Sequence, residues 1–299
     1  MDHHIEYKSA PPAKRLFVRA LFRRRNRLQQ VADMPDLSAS WKGIKINPEH
    51  VAAYCGVCAQ TPSSFLPPLY PYLLVSGLHM GLVVHPNFPL PALGLVHVRH
   101  HVLLRRPIGI HETLDAIAHI TQARPVKAGL EFDISSFVSS GNEPVRESLS
   151  TYLVRGRFGT AGVQPLHGGI PPLDHPDPAL QTAWDIPAGI GWQYAKIAQD
   201  YNPIHLLPFW ARAYGFSSTV THGMWSAARC LAALPPLPQR VPLRIDIAFK
   251  GPFYPGGRVS MRIEPNKSAC RFDAYADDNP RPCLVGGVSI VDSNERIMP

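Results

Sequence analysis

Leu243-Arg244-Ile245-Asp246-Ile247-Ala248-Phe249 carries an apolar side chain at every second position. A period of two marks an antiparallel strand with one buried and one solvated face. Lys250-Gly251-Pro252-Phe253-Tyr254-Pro255-Gly256 closes it with turn formers. Upstream, the stretch from His222 to Leu234 predicts an apolar helix, and downstream Val259–Ile263 and Leu284–Val291 alternate again. One long apolar helix followed by several half-buried strands predicts a sheet wrapped around that helix, an α+β layout.

The first half of the chain repeats the plan. An apolar helical stretch from Tyr70 to Val84 precedes Gly94–Leu104, where Val96, Val98 and Val102 alternate with polar residues, and Arg105-Arg106-Pro107-Ile108-Gly109 closes that strand. Leu130–Ile134 and Leu149–Val154 alternate in turn. The shared order predicts a duplicated unit. Residues 160–180 are rich in Gly, Pro and Asp and read as a linker. The expected organisation is a basic extension over 1–40, a first unit over 41–159, the linker, and a second unit over 181–299.

Chemistry concentrates in Asp200-Tyr201-Asn202-Pro203-Ile204-His205. Pro203 has no N–H and fixes its φ, and it drives Asn202 out of the α region, so no helix runs through. The segment predicts a sharp turn, with Asp200 closing one helix and His205 opening the next. Such a turn brings a carboxylate and an imidazole to one small volume, an arrangement suited to acid–base catalysis. Asn202 could hold either the pair or a substrate carbonyl. Asp-x-Asn and Asn-Pro are also ordinary turn formers that bond their own backbone, so the surroundings decide.

Those surroundings are Tyr194-Ala195 before the turn and Gly215-Phe216 and His222-Gly223-Met224-Trp225 after it. The order resembles the hydratase 2 motif of the MaoC-like dehydratases, the R-specific enoyl-thioester hydratases. The first half resembles their N-terminal domain through Leu66-Pro67-Pro68-Leu69-Tyr70-Pro71 and Phe88–Val98. The resemblance implies a double hot-dog fold of two antiparallel sheets, each wrapped around a long apolar helix, with only the second half catalytic and the first giving room for a long acyl chain. It implies reversible hydration of trans-2-enoyl thioesters of CoA or acyl carrier protein to (R)-3-hydroxyacyl thioesters, with no metal or cofactor. Asp200 is then the base, His205 orients the water, Gly223 supplies a backbone oxyanion donor and Asn202 supports the site. Lys250, Arg212 and His222 are weaker candidates for substrate contact. One departure stands out: the family has Ser-Gly before the Asp where this chain has Ala198-Gln199, and glutamine meets a steric penalty at φ > 0 where glycine does not. That departure motivates a non-catalytic acyl-thioester-binding protein as an alternative; a hot-dog thioesterase is another.

Composition sets bounds on this reading. The chain has 299 residues, 45% of them hydrophobic, enough for a sizeable core. No run of 18 apolar residues predicts a membrane span, and arginines interrupt every apolar run near the start. The net charge is +8, and residues 14–27 hold seven cations and no acid. There Phe17/Leu21 and Val18/Phe22 fall at helical spacing, a signature shared by a helix laid on the body, a membrane-surface or carrier-protein contact, and mitochondrial targeting. Nothing else points to nucleic acid. The five cysteines lack regular spacing and fit a reducing compartment; Cys55-x-x-Cys58 reads as packing. A cytoplasmic protein is expected, mitochondrial if the basic segment is a leader. The cluster His97, His100 and His101 lacks neighbouring acids or cysteines and carries no metal expectation, with His97 and His101 expected on one strand face and His100 on the other. A homodimer of double units, or a monomer whose halves pair, would cover the sheet edges.

Overall fold

The computed structural model describes residues 3–22, 34–158, 173, 180–236, 241–277 and 279–297. Strand β1 (His3–Tyr7) and helix α1 (Ala13–Phe22) come first, then β2 (Leu37–Lys45), α2 (Pro48–Cys58), α3 (Tyr72–Val83), β3 (Val96–Leu104), β4 (Thr113–Val126), β5 (Gly129–Ser140) and β6 (Glu143–Arg155). The second half gives β7 (Leu180–Asp185), α4 (Ile190–Ala198), a 3-10 turn (Pro203–His205), α5 (Pro208–Ala213), α6 (Gly223–Ala232), β8 (Leu243–Phe249), β9 (Arg258–Pro265), β10 (Ala269–Ala276) and β11 (Leu284–Ile290).

The strands lie in the order β1-β2-β4-β5-β6-β3-β8-β11-β10-β9-β7. With β1 set aside, the sets β2–β6 and β7–β11, each numbered within itself, follow the same path, first-third-fourth-fifth-second, which is the duplication the sequence predicts. The two expected sheets meet edge to edge. Antiparallel pairing of β3 with β8, from Arg99↔Ala248 to Leu104↔Leu243, makes them one continuous sheet. One edge of each half is thereby paired within the chain, and β1 and β7 form the edges that remain. His101 Nδ1 and Asp246 Oδ1 meet across this seam at 2.6 Å, and Arg244 bonds Asp246 from the same strand.

Helices α3 and α6 are the apolar cores around which the halves curve. Leu74, Val75, Leu78 and Leu82 of α3 are buried, as are Met224, Trp225, Ala227, Ala228 and Leu231 of α6. Asn47 caps α2, its Oδ1 accepting from the Glu49 amide at 2.8 Å, and Pro48 occupies the first turn where no N–H is needed. Cys55 and Cys58 are buried free thiols on α2, as their packing reading requires.

Two expectations are corrected in detail. Strand β2 crosses the expected unit boundary at residue 41, and β1 pairs with it in parallel, so part of the basic extension belongs to the sheet. The buried face of α1 is Ala13, Leu16 and Ala20; Val18, Leu21 and Phe22 are exposed. Residues 23–27 of the basic run and nearly all of the 160–180 linker lie outside the described residues. Among the described residues no helix is long and apolar enough to cross a membrane.

Candidate active site

A left-handed residue ends α4 and aims the turn that follows. Gln199 takes φ 54° at the C-cap, its side chain folded back on the Lys196 carbonyl at 2.6 Å. The steric penalty expected of glutamine here is therefore present in the backbone. Asp200 follows outside the helix, and His205 ends the 3-10 turn instead of opening a helix, both departures from the sequence expectation. Asp200 Oδ1 accepts from the Asn202 amide at 3.1 Å, and Asn202 Oδ1 faces the Ile204 amide at 3.5 Å. Asn202 thus shapes the turn and is engaged with backbone. Asp200 Oδ2 takes no protein hydrogen bond among the described residues.

The turn is stitched to the segment before α6 in both directions. The Val220 amide donates to the Ile204 carbonyl at 3.1 Å, and His205 Nδ1 donates to the Val220 carbonyl at 2.8 Å. A carbonyl only accepts, so Nδ1 carries the hydrogen and Nε2 presents a lone pair to the cavity. Gly191 permits the close approach: a Cβ there would run into the His205 carbonyl. Burial lowers the His205 pKa, partly opposed by the Asp200 charge, so the imidazole stays neutral.

His222 caps α6 and lies against His205, ring centroids 3.8 Å apart. Its Nε2 donates to the Asp200 backbone carbonyl at 3.0 Å, and burial with the neighbouring His205 holds its pKa down to about 3. Gly223 opens the helix, where the first amides have no intrahelical acceptor and the dipole is positive. A Cβ on Gly223 would stand 3.1 Å from the Phe249 ring, so a side chain would crowd the approach to that amide.

Asp200, Asn202, His205, His222 and Gly223 line one cavity of about 720 Å³. Lys250 also lines it, with Lys45 and Arg155, and all three are exposed. Arg212 does not; it is exposed and its Nε points to the Ser217 carbonyl at 3.4 Å. Asp200, His205 and His222 bring ligand atoms within 4.8 Å of one another, the one group among the described residues able to hold a metal ion.

The first half contributes more to this cavity than room for a chain. Tyr72, His79, His97 and Tyr152 line it. A bulge in β3 between His97 and Arg99 shifts the alternation. His97 and His100 consequently share the concave face, centroids 5.3 Å apart, while His101 turns to the seam, reversing the expected faces. The valines and histidines of β3 give no sign of that bulge. His97 was visible in sequence only as a member of a histidine cluster, and nothing marked Tyr72 or Tyr152.

Residues 185–274 match the family model of the MaoC like domain. Over 200 residues the chain is 31% identical to 3-hydroxyacyl-thioester dehydratase X of Mycobacterium tuberculosis, covering 67% of this chain and 70% of the relative. The chain belongs to the MaoC-like dehydratase family. It is accordingly an enzyme of the hydro-lyase type. Its double hot-dog fold is shared with the crystal structure of HtdX of M. tuberculosis, at a TM-score of 0.73 and 24% identity over 85% of this chain and 100% of that one. A MaoC-like dehydratase from Phytophthora capsici superposes at 0.69 with 20% identity, over 88% and 98% of the two chains. An M. tuberculosis protein described as having a double hotdog fold gives 0.57 with 12% identity, over 84% and 95%.

Proposed function

We propose that this MaoC-like protein interconverts trans-2-enoyl thioesters and (R)-3-hydroxyacyl thioesters by adding or removing water at one Asp/His pair. The carrying observation is that Asp200 Oδ2 and His205 Nε2, both without protein partners among the described residues, share a cavity with the N-terminus of α6. The name of the M. tuberculosis relative supports a 3-hydroxyacyl thioester as substrate.

One water lies between the carboxylate and the neutral imidazole and donates a hydrogen to each, which fixes it for attack on C3. Asp200 takes the proton as the new C–O bond forms. The electron pair of the double bond moves through C2 to the thioester oxygen, where the Gly223 amide and the helix dipole stabilise the developing charge. The proton taken by the pair returns to C2, and the net change is addition of H₂O. Lys250, Lys45 and Arg155 at the cavity rim suit the phosphates of CoA or of a carrier-protein arm.

The test is loss of the enoyl-thioester absorbance when the protein meets crotonyl-CoA and a longer enoyl-CoA. Turnover is expected, falling roughly 10²–10⁴-fold in Asp200→Asn. Near-full activity in that variant overturns the mechanism.

A further inference from the structure

Helix α3 carries two glycines four residues apart, Gly77 and Gly81, which share one face of the helix. The N-terminal segment occupies the space above both. A Cβ on Gly77 would stand 3.0 Å from the Pro11 ring, and one on Gly81 would run into the Tyr7 hydroxyl. The two glycines thus let the segment lie directly on the helix backbone, where larger residues would lift it off. Helix α1 continues along α3 and buries Ala13, Leu16 and Ala20. The segment from β1 to α1 is in this way keyed to the first half.

That seating brings the segment to the cavity. Ala10, Pro11, Ala13 and Phe17 line it, together with Leu73 and Met80 of α3. Three of the four N-terminal residues are small; Phe17 is the one large side chain the segment offers, and it is half-buried. Its ring meets the Tyr201 ring edge-on, centroids 6.4 Å apart, and Lys14 Nζ lies 5.7 Å from the centre of the same tyrosine. Tyr201 follows Asp200 directly in the chain, so Phe17 stands beside the reactive turn. The wall that α1 and α3 build there is apolar and suits methylene groups.

We propose that the N-terminal segment forms a wall of the acyl-chain channel and that Phe17 is a specificity-determining residue, covering the chain beyond C4 and favouring longer acyl chains over four-carbon ones. The inference rests on the proposed reading of the site. With the thioester oxygen at Gly223 and C3 at Asp200 and His205, C4 and the carbons after it leave on the side away from C1, toward Phe17. Methylenes laid on that ring are removed from water, and a four-carbon chain ends before reaching it.

Equilibrium binding of saturated ligands tests the wall apart from turnover. Butanoyl-CoA and octanoyl-CoA are titrated into the wild type, into Phe17→Ala and into Val18→Ala, whose side chain lies on the exposed face of the same helix. Octanoyl-CoA is expected to bind the wild type roughly a hundredfold tighter, the worth of four methylenes taken out of water. That advantage is expected to shrink about tenfold in Phe17→Ala and to persist in Val18→Ala. Equal wild-type affinities, undetectable binding of both included, overturn the wall. So does an advantage that is unchanged or larger in Phe17→Ala, and so does an equal weakening of both ligands, which would assign Phe17 to the thioester arm. A loss of the same size in Val18→Ala would trace the effect to displacement of α1 and overturn the role of Phe17. Should Phe17→Ala fail to fold, Phe17→Gln keeps the bulk, puts an amide on the wall and is read by the same criteria. Hydration of crotonyl-CoA and octenoyl-CoA by the wild type is followed alongside. Turnover with a length preference indifferent to Phe17 overturns the wall alone; a Phe17-dependent preference without turnover upholds the wall and overturns the hydration reading.

Discussion

Helices α2 and α4 hold the same place in the two halves, and both end on a left-handed non-glycine residue, Ala59 at φ 51° and Gln199 at φ 54°. The next residue in the first half is Gln60, whose side-chain amide donates to the Ala228 carbonyl of α6 at 2.9 Å. In the second half it is Asp200, with one carboxylate oxygen closing the turn and the other facing the cavity. The central helices differ likewise: α6 opens on Gly223, and α3 opens on Tyr72, which puts a ring into the cavity where the other half leaves an amide bare. One backbone plan thus carries either a tie between the halves or a reactive pair, and a few side chains at helix ends decide which.

The widest separation of the halves is expected between Asp200→Asn and Gln60→Ala. The first should lose roughly 10²–10⁴-fold in turnover with an unchanged urea midpoint. The second should keep turnover within about twofold and lose about 1 kcal/mol of stability, the worth of the tie to α6. A large loss of turnover in Gln60→Ala would mean that chemistry depends on the seam, erasing the contrast.

Acid titration is expected to expose what the halves share. Burial lowers the pKa of His79, His97 and His222 to about 3, against 6.5 for an unhindered histidine, and holds His100 well below that ordinary value too. Above pH 6.5 neither the folded nor the unfolded chain is protonated at these sites, so their contribution is fully present. Below it the unfolded chain binds protons that the native rings refuse, and stability is lost as the pH falls toward 3. Each ring costs about 1.4 kcal/mol per pH unit in that window, less for His97, which is partly exposed where the other three are buried. Urea midpoints should fall steeply from pH 6.5 to pH 5. A flat response would show that these rings are hydrated in solution.

The second half was the more legible one in sequence because its signals are local. Strict alternation gives β8, Pro203 gives the break, and the spacing from Asp200 to Gly223 carries the site within one stretch. Strand β4 escaped reading because Ile117, between Ala116 and Ala118, blurs the apolar alternation. The polar wall of the first half escaped for another reason. Tyr72, His97 and Tyr152 come from a helix and two strands far apart in sequence, and the β3 bulge that turns His97 inward leaves no compositional mark.

Gly191→Ala tests how tightly the reactive turn is held against α4. A methyl group ordinarily stabilises a helix interior by up to about 1 kcal/mol over glycine. Here it would strike the His205 carbonyl, so the expected sign is reversed: a loss of about 1–3 kcal/mol and a turnover reduced by about tenfold or more as His205 shifts. Gly56, the glycine of α2, has open space at its Cβ position, and Gly56→Ala should gain stability and leave turnover alone. Stabilisation at both positions would show that α4 and the turn are not in close contact.

The smallest expected effect concerns the left-handed pair. Glycine accepts that backbone without the Cβ clash that glutamine and alanine meet, at the cost of a freer unfolded chain. Gln199→Gly and Ala59→Gly should therefore each raise stability by about 0.5 kcal/mol, read as parallel shifts of the urea midpoint, with Gln199→Gly gaining less because it gives up the bond to the Lys196 carbonyl. Only position 199 precedes a reacting group. If its strain merely tolerates the turn, turnover stays within about twofold in both variants. If kcat falls in Gln199→Gly alone while both proteins gain stability, the glutamine holds the chain in the one conformation that aims Asp200, and the departure from the family's Ser-Gly serves catalysis.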